Sequence, residues 1–354
     1  MSETANNWMI YGATGYSGQL IVKQAVKAGL RPVLAGRSED KVKTLAAQHG
    51  LEYRVFSIDM LAQSDALIVG MDLVLNCAGP FSQTAEVMMQ ACLKQRAHYL
   101  DITGEIEVFE LAASLDEAAK TQGVVLCPGV GFDVIPTDCV AGYLQAQMPE
   151  ATHLALGFDS RSGFSPGTAK TSVEALPQGG KIRENGVIKT VPLAAKTRRI
   201  DFGGGEKLAM TIPWGDVSTA FHNTGIPNIE VYIPASPGMI KQVKRMNWLK
   251  PILKWGLVQN FLKKRIDKKV KGPDQATRDK LTTFVWGEVK NEAGEVKTHR
   301  IEVANGYNLT ATGSVHVTQA LLTTHRQATG YHTPSTLLGV DLIEQLPGTK
   351  ILEN

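Results

Sequence analysis

Short apolar runs alternate with amphipathic stretches along the first third of the chain. The runs at 8–11, 32–35, 53–58, 73–76, 98–102 and 124–127 are predicted strands. Between them, apolar positions recur at helical spacing and predict helices over 19–28, 41–48, 63–68, 84–94 and 106–121. Turn signals sit at the joints, at Gly29, Gly50, Gly79-Pro80 and Gly123. Ser38 is placed to cap the second helix and Gly50 to end it. Strands alternating with helices in this way predict a parallel sheet covered by helices on both faces.

The pattern changes after Thr137. Residues 151–235 are richer in Gly, Thr and Pro, with strand-like pieces at 153–158 and 229–233. Residues 283–304 read as a hairpin turning at 291–294, and 311–327 and 335–345 read as helices. A chain of 354 residues fits two domains. The expected class is therefore α/β, a doubly wound parallel sheet with a second, mixed α+β domain. The expected boundaries are 1–138, 139–315 for a substrate and dimerisation domain, and 316–354 for helices returning to the first domain.

The first joint carries the chemistry. W-M-I-Y-G-A-T-G-Y-S-G places Gly12, Gly15 and Gly18 between a strand and an amphipathic helix. That is the context of the dinucleotide fingerprint of a Rossmann fold. Gly12 permits the tight turn, Gly15 lets the backbone approach a pyrophosphate, and Gly18 lets the helix pack on the strand. Thr14, Tyr16 and Ser17 lie on the same turn, and the pyrophosphate would sit at the helix N-terminus.

The second strand discriminates between cofactors. An NAD site usually has an acid near the end of this strand. Here V-L-A-G-R-S puts Arg37 there, with Ser38 beside it. A guanidinium pairs bidentately with a 2′-phosphate, so the expected cofactor is NADP(H). Asp59, read as ending the third strand, is a candidate for the adenine amino group. N-C-A-G-P-F ends the fourth strand, and the backbone of Asn76, Ala78 and Gly79 should lie along the cofactor. Asp101, Thr103, Glu105, Asp133 and Asp138 cluster at later strand ends, around the expected substrate rim. Asp101 is a catalytic candidate, and Thr137 and Asp138 are candidate helix caps.

Composition narrows the class further. The N-terminus shows no signal-peptide pattern, and no apolar run reaches the ~18 residues of a membrane span. Cys77, Cys92, Cys127 and Cys139 form no C-x-x-C pair and read as reduced thiols of a cytoplasmic protein. The eight histidines include no H-x-x-x-H pair, so no metal site is expected.

These segments together resemble the saccharopine dehydrogenase-like oxidoreductases, including the trans-acting enoyl reductases. The resemblance rests on G-A-T-G-Y-S-G, L-A-G-R, N-C-A-G-P-F, Y-L-D-I-T-G-E and G-F-D-V-I-P-T-D in the first domain. F-H-N-T-G-I-P-N-I-E-V-Y and G-Y-H-T-P-S-T-L-L-G extend it to the C-terminal part. It implies a Rossmann domain, an inserted mixed substrate domain and a final helical segment. It does not imply saccharopine as the substrate. Short-chain dehydrogenases are excluded, because none of the eight tyrosines has Lys four positions on. Acyl-phosphate reductases share the glycine motif and need a thiolate with a His base. Cys139 with His222 or His316 keeps that alternative open, as does a nucleotide-binding sensor or membrane-associated adaptor without turnover.

The expected activity is hydride transfer to a C=C, C=N or C=O bond of a small or lipid-like substrate, by a homo-oligomer. The cofactor carries that chemistry, and the protein supplies orientation and at most one proton. The proton-donor candidates are Lys170 and Thr168, in S-P-G-T-A-K-T-S, and His222, in F-H-N-T-G. The amides of Pro166-Gly167-Thr168 are a candidate anion site, at the start of a helix.

Net charge is +3, yet Lys241 to Lys271 holds eleven Lys or Arg against one acid, Asp267, leaving −7 for the rest. Pro251 is placed to start a helix whose apolar stripe would be Trp255, Val258, Leu262 and Ile266, with Phe261 beside it. Lys263, Lys264, Lys268 and Lys271 would cover the other faces. Such a segment lies on an anionic membrane surface, packs on its own domain, makes a dimer contact, or docks an acidic carrier protein or a coenzyme A phosphate. Nucleic acid is not expected, because no reading motif accompanies the charge.

Overall fold

The computed structural model describes residues 7–161, 165–270 and 272–352, without the side chains of 250–252 and 267–268. The first stretch runs β1 (Trp8–Tyr11), α1 (Tyr16–Lys27), β2 (Val33–Gly36), α2 (Glu39–His49), β3 (Tyr53–Val55), α3 (Ile58–Gln63), β4 (Leu73–Asn76), α4 (Phe81–Gln95), β5 (His98–Asp101), α5 (Ile106–Ser114), α6 (Asp116–Gln122) and β6 (Val125–Cys127). The chain continues through α7 (Ile135–Gln147), β7 (His153–Ser160), α8 (Pro166–Ala175), β8 (Gly180–Glu184), β9 (Val187–Val191), β10 (Thr197–Asp201) and β11 (Glu206–Thr211). Next come α9 (Asp216–Thr224), β12 (Asn228–Pro234), α10 (Pro237–Leu253), α11 (Gly256–Lys269), α12 (Gln275–Lys280), β13 (Thr283–Lys290) and β14 (Val296–Val303). It ends with α13 (Gly306–Leu322), β15 (Gly330–Tyr331), α14 (Pro334–Leu338) and β16 (Lys350–Leu352).

Two compact units result, one of Met1–Asp133 with Tyr307–Leu338, the other of Val134–Gly306 with Gly339–Asn354. The first crossing falls at 133/134 rather than after Asp138, and the return begins at Tyr307 rather than His316. The last residues leave the first unit again: β16 pairs antiparallel with β14.

The first unit holds a parallel sheet ordered β15-β6-β5-β4-β1-β2-β3 among the described residues. This is the doubly wound order, with the chain reversing direction between β1 and β4. β1 and β4 are buried along their whole length, because helices cover both faces. α1 buries Gly18, Ile21, Val22 and Ala25, one stripe at 3.6-residue spacing. The predicted helix at 106–121 is broken at Leu115, and Asp116 then accepts from the amide of Tyr331 at 2.7 Å. That bond helps seat β15, a seventh strand whose two residues carry no strand signal of their own. Gly50, in the left-handed conformation, ends α2 as expected, whereas Ser38 precedes it without a side-chain cap bond.

The second unit is built on a mixed sheet, β10-β11-β12-β7-β13-β14-β16, with β8 pairing β12 and β9. β13 and β14 form the predicted hairpin, turning through Asn291–Gly294. One face carries Ile200, Phe202, Ala209, Tyr232 and Trp286 as a packed cluster. The predicted helix at 335–345 is interrupted by Gly339, at φ +94°, into α14 and a 3-10 turn.

Candidate functional site

The glycine turn closes on the carboxyl ends of β1, β2 and β4. Gly12 adopts φ +79°, a conformation L side chains rarely take, and its amide donates to Ala35 O at 2.8 Å. A Cβ there would lie 2.8 Å from the Ala78 amide nitrogen. At Gly18 a Cβ would lie 2.4 Å from Gly12 O, so helix and turn can meet only through glycine. Gly15 differs, because a Cβ there would touch only Gly12 O, at 3.3 Å. The space beyond it is open, as a cradle for a pyrophosphate needs. α1 begins at this residue with neither a side-chain cap bond nor an acid in its first turn. Its N-terminal dipole therefore faces that space uncompensated. Thr14, Tyr16 and Ser17 surround the same turn, and the Tyr16 ring stands edge-on to Tyr307 at 5.0 Å.

Arg37 follows directly on β2 and is exposed, with half-buried Ser38 beside it. Glu39 and Asp40 begin α2, as expected of acids that compensate a helix N-terminus. Asp59 is a correction: β3 stops at Val55, and Asp59 lies in the first turn of α3, capped by Ser57. It still acts near Arg37. Burial pushes the Tyr11 hydroxyl up, Arg37 offsets this and Asp59 adds to it. Tyr11 stacks on Phe56 at 5.0 Å beneath these charges.

Behind the cradle lies a hydrogen-bonded polar chain. Asn76 is fully buried; its amide donates to Thr84 Oγ1 at 3.1 Å, and its Oδ1 accepts from the Ala78 amide at 3.0 Å. The side chain of Asn76 thus shapes the loop through Ala78 and Gly79. Asp101, expected at the rim, is instead fully buried. It accepts from Tyr99 Oη at 2.7 Å, from the Thr103 amide at 2.9 Å and from the Gly129 amide at 2.8 Å. Those bonds tie the end of β5 to the end of β6 and make Asp101 a positioning residue. Thr103 is buried with it, and its hydroxyl accepts from the Glu105 amide. Glu105 caps α4 from 24 positions away, accepting from the amides of Phe81 and Ser82 at 2.9 and 2.7 Å. No local pattern reveals that cap. Thr310 and Ser314 of α13 hold the loop after β6, bonding the Phe132 amide and Val130 O. This too lies outside any sequence signal.

Burial raises the Asp101 carboxyl to about 7, against the bonds from Tyr99, Thr103 and Gly129. It raises Asp133, packed against Gly104, to about 7 as well. A carboxyl raised in the folded state contributes stability that is complete below its unfolded value. That contribution declines as pH climbs through the folded value. The urea midpoint is therefore expected to fall between about pH 4 and about pH 8. Asp101→Asn should fold and remove part of that fall; an undiminished fall would place the titration elsewhere.

The second unit holds the other candidates. Lys170 is half-buried in the first half of α8. At the α8 N-terminus Ser165 Oγ accepts from the Thr168 amide at 3.2 Å, which occupies one of the amides expected to meet an anion. His222 lies in the last turn of α9, its ring edge-on to Phe221 at 5.8 Å. Phe221 in turn carries the Arg183 guanidinium at 4.1 Å. Asp138 and Thr137 do not cap α7, which starts after Val134. Asp138 is buried and accepts from Asn223 Nδ2 at 2.8 Å, and Thr137 bonds back to Val134 O. Cys139 is buried on α7, and burial together with Asp138, Asp341 and Glu344 pushes its thiol well up. Cys77 is half-buried, its thiol raised by burial and by Asp101. No group of three metal-ligating side chains occurs among the described residues.

Residues 8–127 match the family model of the saccharopine dehydrogenase NADP binding domain. That segment of the first unit is therefore an NADP-binding domain of that type. A saccharopine dehydrogenase-like oxidoreductase of Mus musculus is 30% identical over 160 residues, 40% of this chain and 37% of that protein. A trans-acting enoyl reductase of Mycobacterium bovis is 28% identical over 206 residues, 54% of this chain and 49% of that protein. The aligned part thus spans half or less of these relatives, and less of this chain than the quoted motifs imply. Among solved structures, saccharopine dehydrogenase (L-Glu forming) from Saccharomyces cerevisiae aligns at TM-score 0.66 and 12% identity. That alignment covers 98% of this chain and 100% of the yeast chain, and it shows a shared fold.

Proposed function

Proceeding from an NADP-binding domain of the saccharopine dehydrogenase type, we propose that the chain is an NADP(H)-dependent oxidoreductase. It acts on a C=C, C=N or C=O bond of a small or lipid-like substrate, and works as a homo-oligomer. The observation that carries this reading is Arg37 at the end of β2, where an NAD site usually has an acid. The nicotinamide, when bound, supplies the hydride. Gly12, Thr14, Gly15, Tyr16, Ser17 and Gly18 hold the pyrophosphate, and Arg37 with Ser38 holds the 2′-phosphate. Asp59 serves the adenine side, and the loop Asn76–Gly79 lies along the rest of the cofactor. Asp101 ties the end of β5 to the end of β6. The second unit supplies the substrate site, with Lys170 and His222 as the proton donors to be tested.

A screen for NADPH consumption with enoyl, imine and keto substrates tests this. Binding of NADPH with no consumption across all three classes would favour a sensor instead. Cys139→Ser is expected to leave turnover within about twofold of wild type, because a buried thiol among carboxylates forms little thiolate. Loss of turnover in that variant, with folding intact, would restore the thiol mechanism. His222→Asn with unchanged turnover removes His222.

A further inference from the structure

α10 and α11 belong to the second unit, outside the residues assigned to the cofactor. Their inward sides are accounted for. Ile240 is buried and Val243 packs against the same cluster. Asn247 accepts from the Leu193 amide at 2.8 Å, Gln259 donates to Val173 O at 3.1 Å, and Lys263 pairs with Glu174. Val258, Leu262 and Ile266, expected as the apolar stripe, are half-buried or nearly so on this inward side. Trp255 and Phe261 are not with them. Pro251 lies inside α10 rather than starting a helix, and the break falls at Trp255. Lys271 and the side chain of Lys268 lie outside the described residues.

The outward sides repeat one arrangement. On α10, Lys241, Lys244, Arg245, Trp248 and Leu249 lie on or beside one face, and Trp248 and Leu249 are exposed on it. On α11, Leu257, Phe261, Lys264 and Arg265 do the same. Trp248 is 88% exposed, Leu257 84%, Trp255 64% and Phe261 63%. Large apolar side chains this exposed, set among cations, mark an interaction surface rather than ordinary scatter. A groove of about 470 Å³ beside Trp248 is lined by Thr197, Leu208, Lys241, Lys244 and Arg245. No helix among the described residues is long and apolar enough to cross a membrane.

We propose that this face docks on an anionic lipid bilayer. Trp248, Trp255, Leu257 and Phe261 would enter the headgroup–acyl boundary, and Lys241, Lys244, Arg245, Lys264 and Arg265 would meet lipid phosphates. Charge complementarity selects this occupant. The segment 241–271 carries +10 against −7 for the rest of the chain. A second copy across a two-fold axis would set the same cations against themselves. A purely electrostatic polyanion would leave Leu257 exposed with nothing to cover it. The proposal stands apart from the reductase reading, since neither helix contributes to the cofactor cradle.

The test is flotation of the full chain with phosphatidylcholine vesicles, with and without phosphatidylserine. Flotation with anionic vesicles only, lost near about 0.5 M salt, is expected. A blue shift of tryptophan emission should accompany it, because Trp248 and Trp255 start in water. Trp248→Ser with Leu257→Ser, and separately Lys244→Glu with Arg245→Glu, should each lower partitioning about tenfold or more. These side chains face solvent, so melting temperature should not change. Absence of flotation at low salt overturns the proposal, and so does flotation that both variants leave intact. Self-association or oligonucleotide binding through this face, with vesicles left free, also overturns it.

Discussion

Arg37→Ala is expected to weaken NADPH binding by about ten- to a hundredfold and to leave NADH binding nearly unchanged. Hydrogen bonds to charged groups contribute about 1.5–3 kcal/mol each, and a bidentate guanidinium–phosphate pair makes two. Exposure at the end of β2 lets solvent screen much of this, which brings the expected loss down to about 1.4–2.8 kcal/mol. Arg37→Lys should recover only part of the loss, because an ammonium cannot reproduce the fork. Fluorescence or calorimetric titration with both cofactors reads the result. Equal affinity for NADPH and NADH in both proteins would remove the argument that rests on Arg37. Salt should weaken NADPH binding to the wild type more than to the variant, since the variant lacks the charge being screened.

Gly18→Ala should destabilise the protein by about 3 kcal/mol and abolish cofactor binding. The added Cβ would lie 2.4 Å from Gly12 O and 2.9 Å from Ala13 O, and both are backbone atoms with no rotamer to yield. α1 must then move away from the turn, and its N-terminus moves with it. Gly15→Ala separates the two effects. Its Cβ meets one atom at 3.3 Å, so stability should change by less than about 1 kcal/mol. Binding should still fall about tenfold or more, because the methyl enters the space left for the pyrophosphate. Urea denaturation alongside cofactor titration distinguishes the pair. If Gly15→Ala binds NADPH as well as wild type does, the ligand does not approach the chain there.

Local features are legible in the order of residues alone. Six of the seven strands described in the first unit, the glycine turn and the position of Arg37 depend on side-chain periodicity and on backbone permissiveness within a few residues. The hairpin at 283–304 is legible for the same reason. Asp59 escapes such reading because β3 ends three residues earlier than its apolar run, and Ser57 then starts a helix. The glycine at 339 does so too, since it splits a stretch whose apolar spacing is helical throughout.

What the chain dictates by itself is thus a nucleotide-binding half and the kind of nucleotide it takes, because a strand, a tight turn and a helix are short-range consequences of order. Tertiary structure decides which polar groups are spent on one another. Glu105 is bound to the start of α4, Asp101 to the amides of Thr103 and Gly129, and Ser165 to the amide of Thr168. It also decides which side of α11 is covered, turning Val258 and Leu262 inward and leaving Leu257 and Phe261 outside. A hydrogen bond between residues 24 apart, or the choice of a buried helix face, depends on where another element arrives. That follows from packing of the whole fold, not from spacing along one segment.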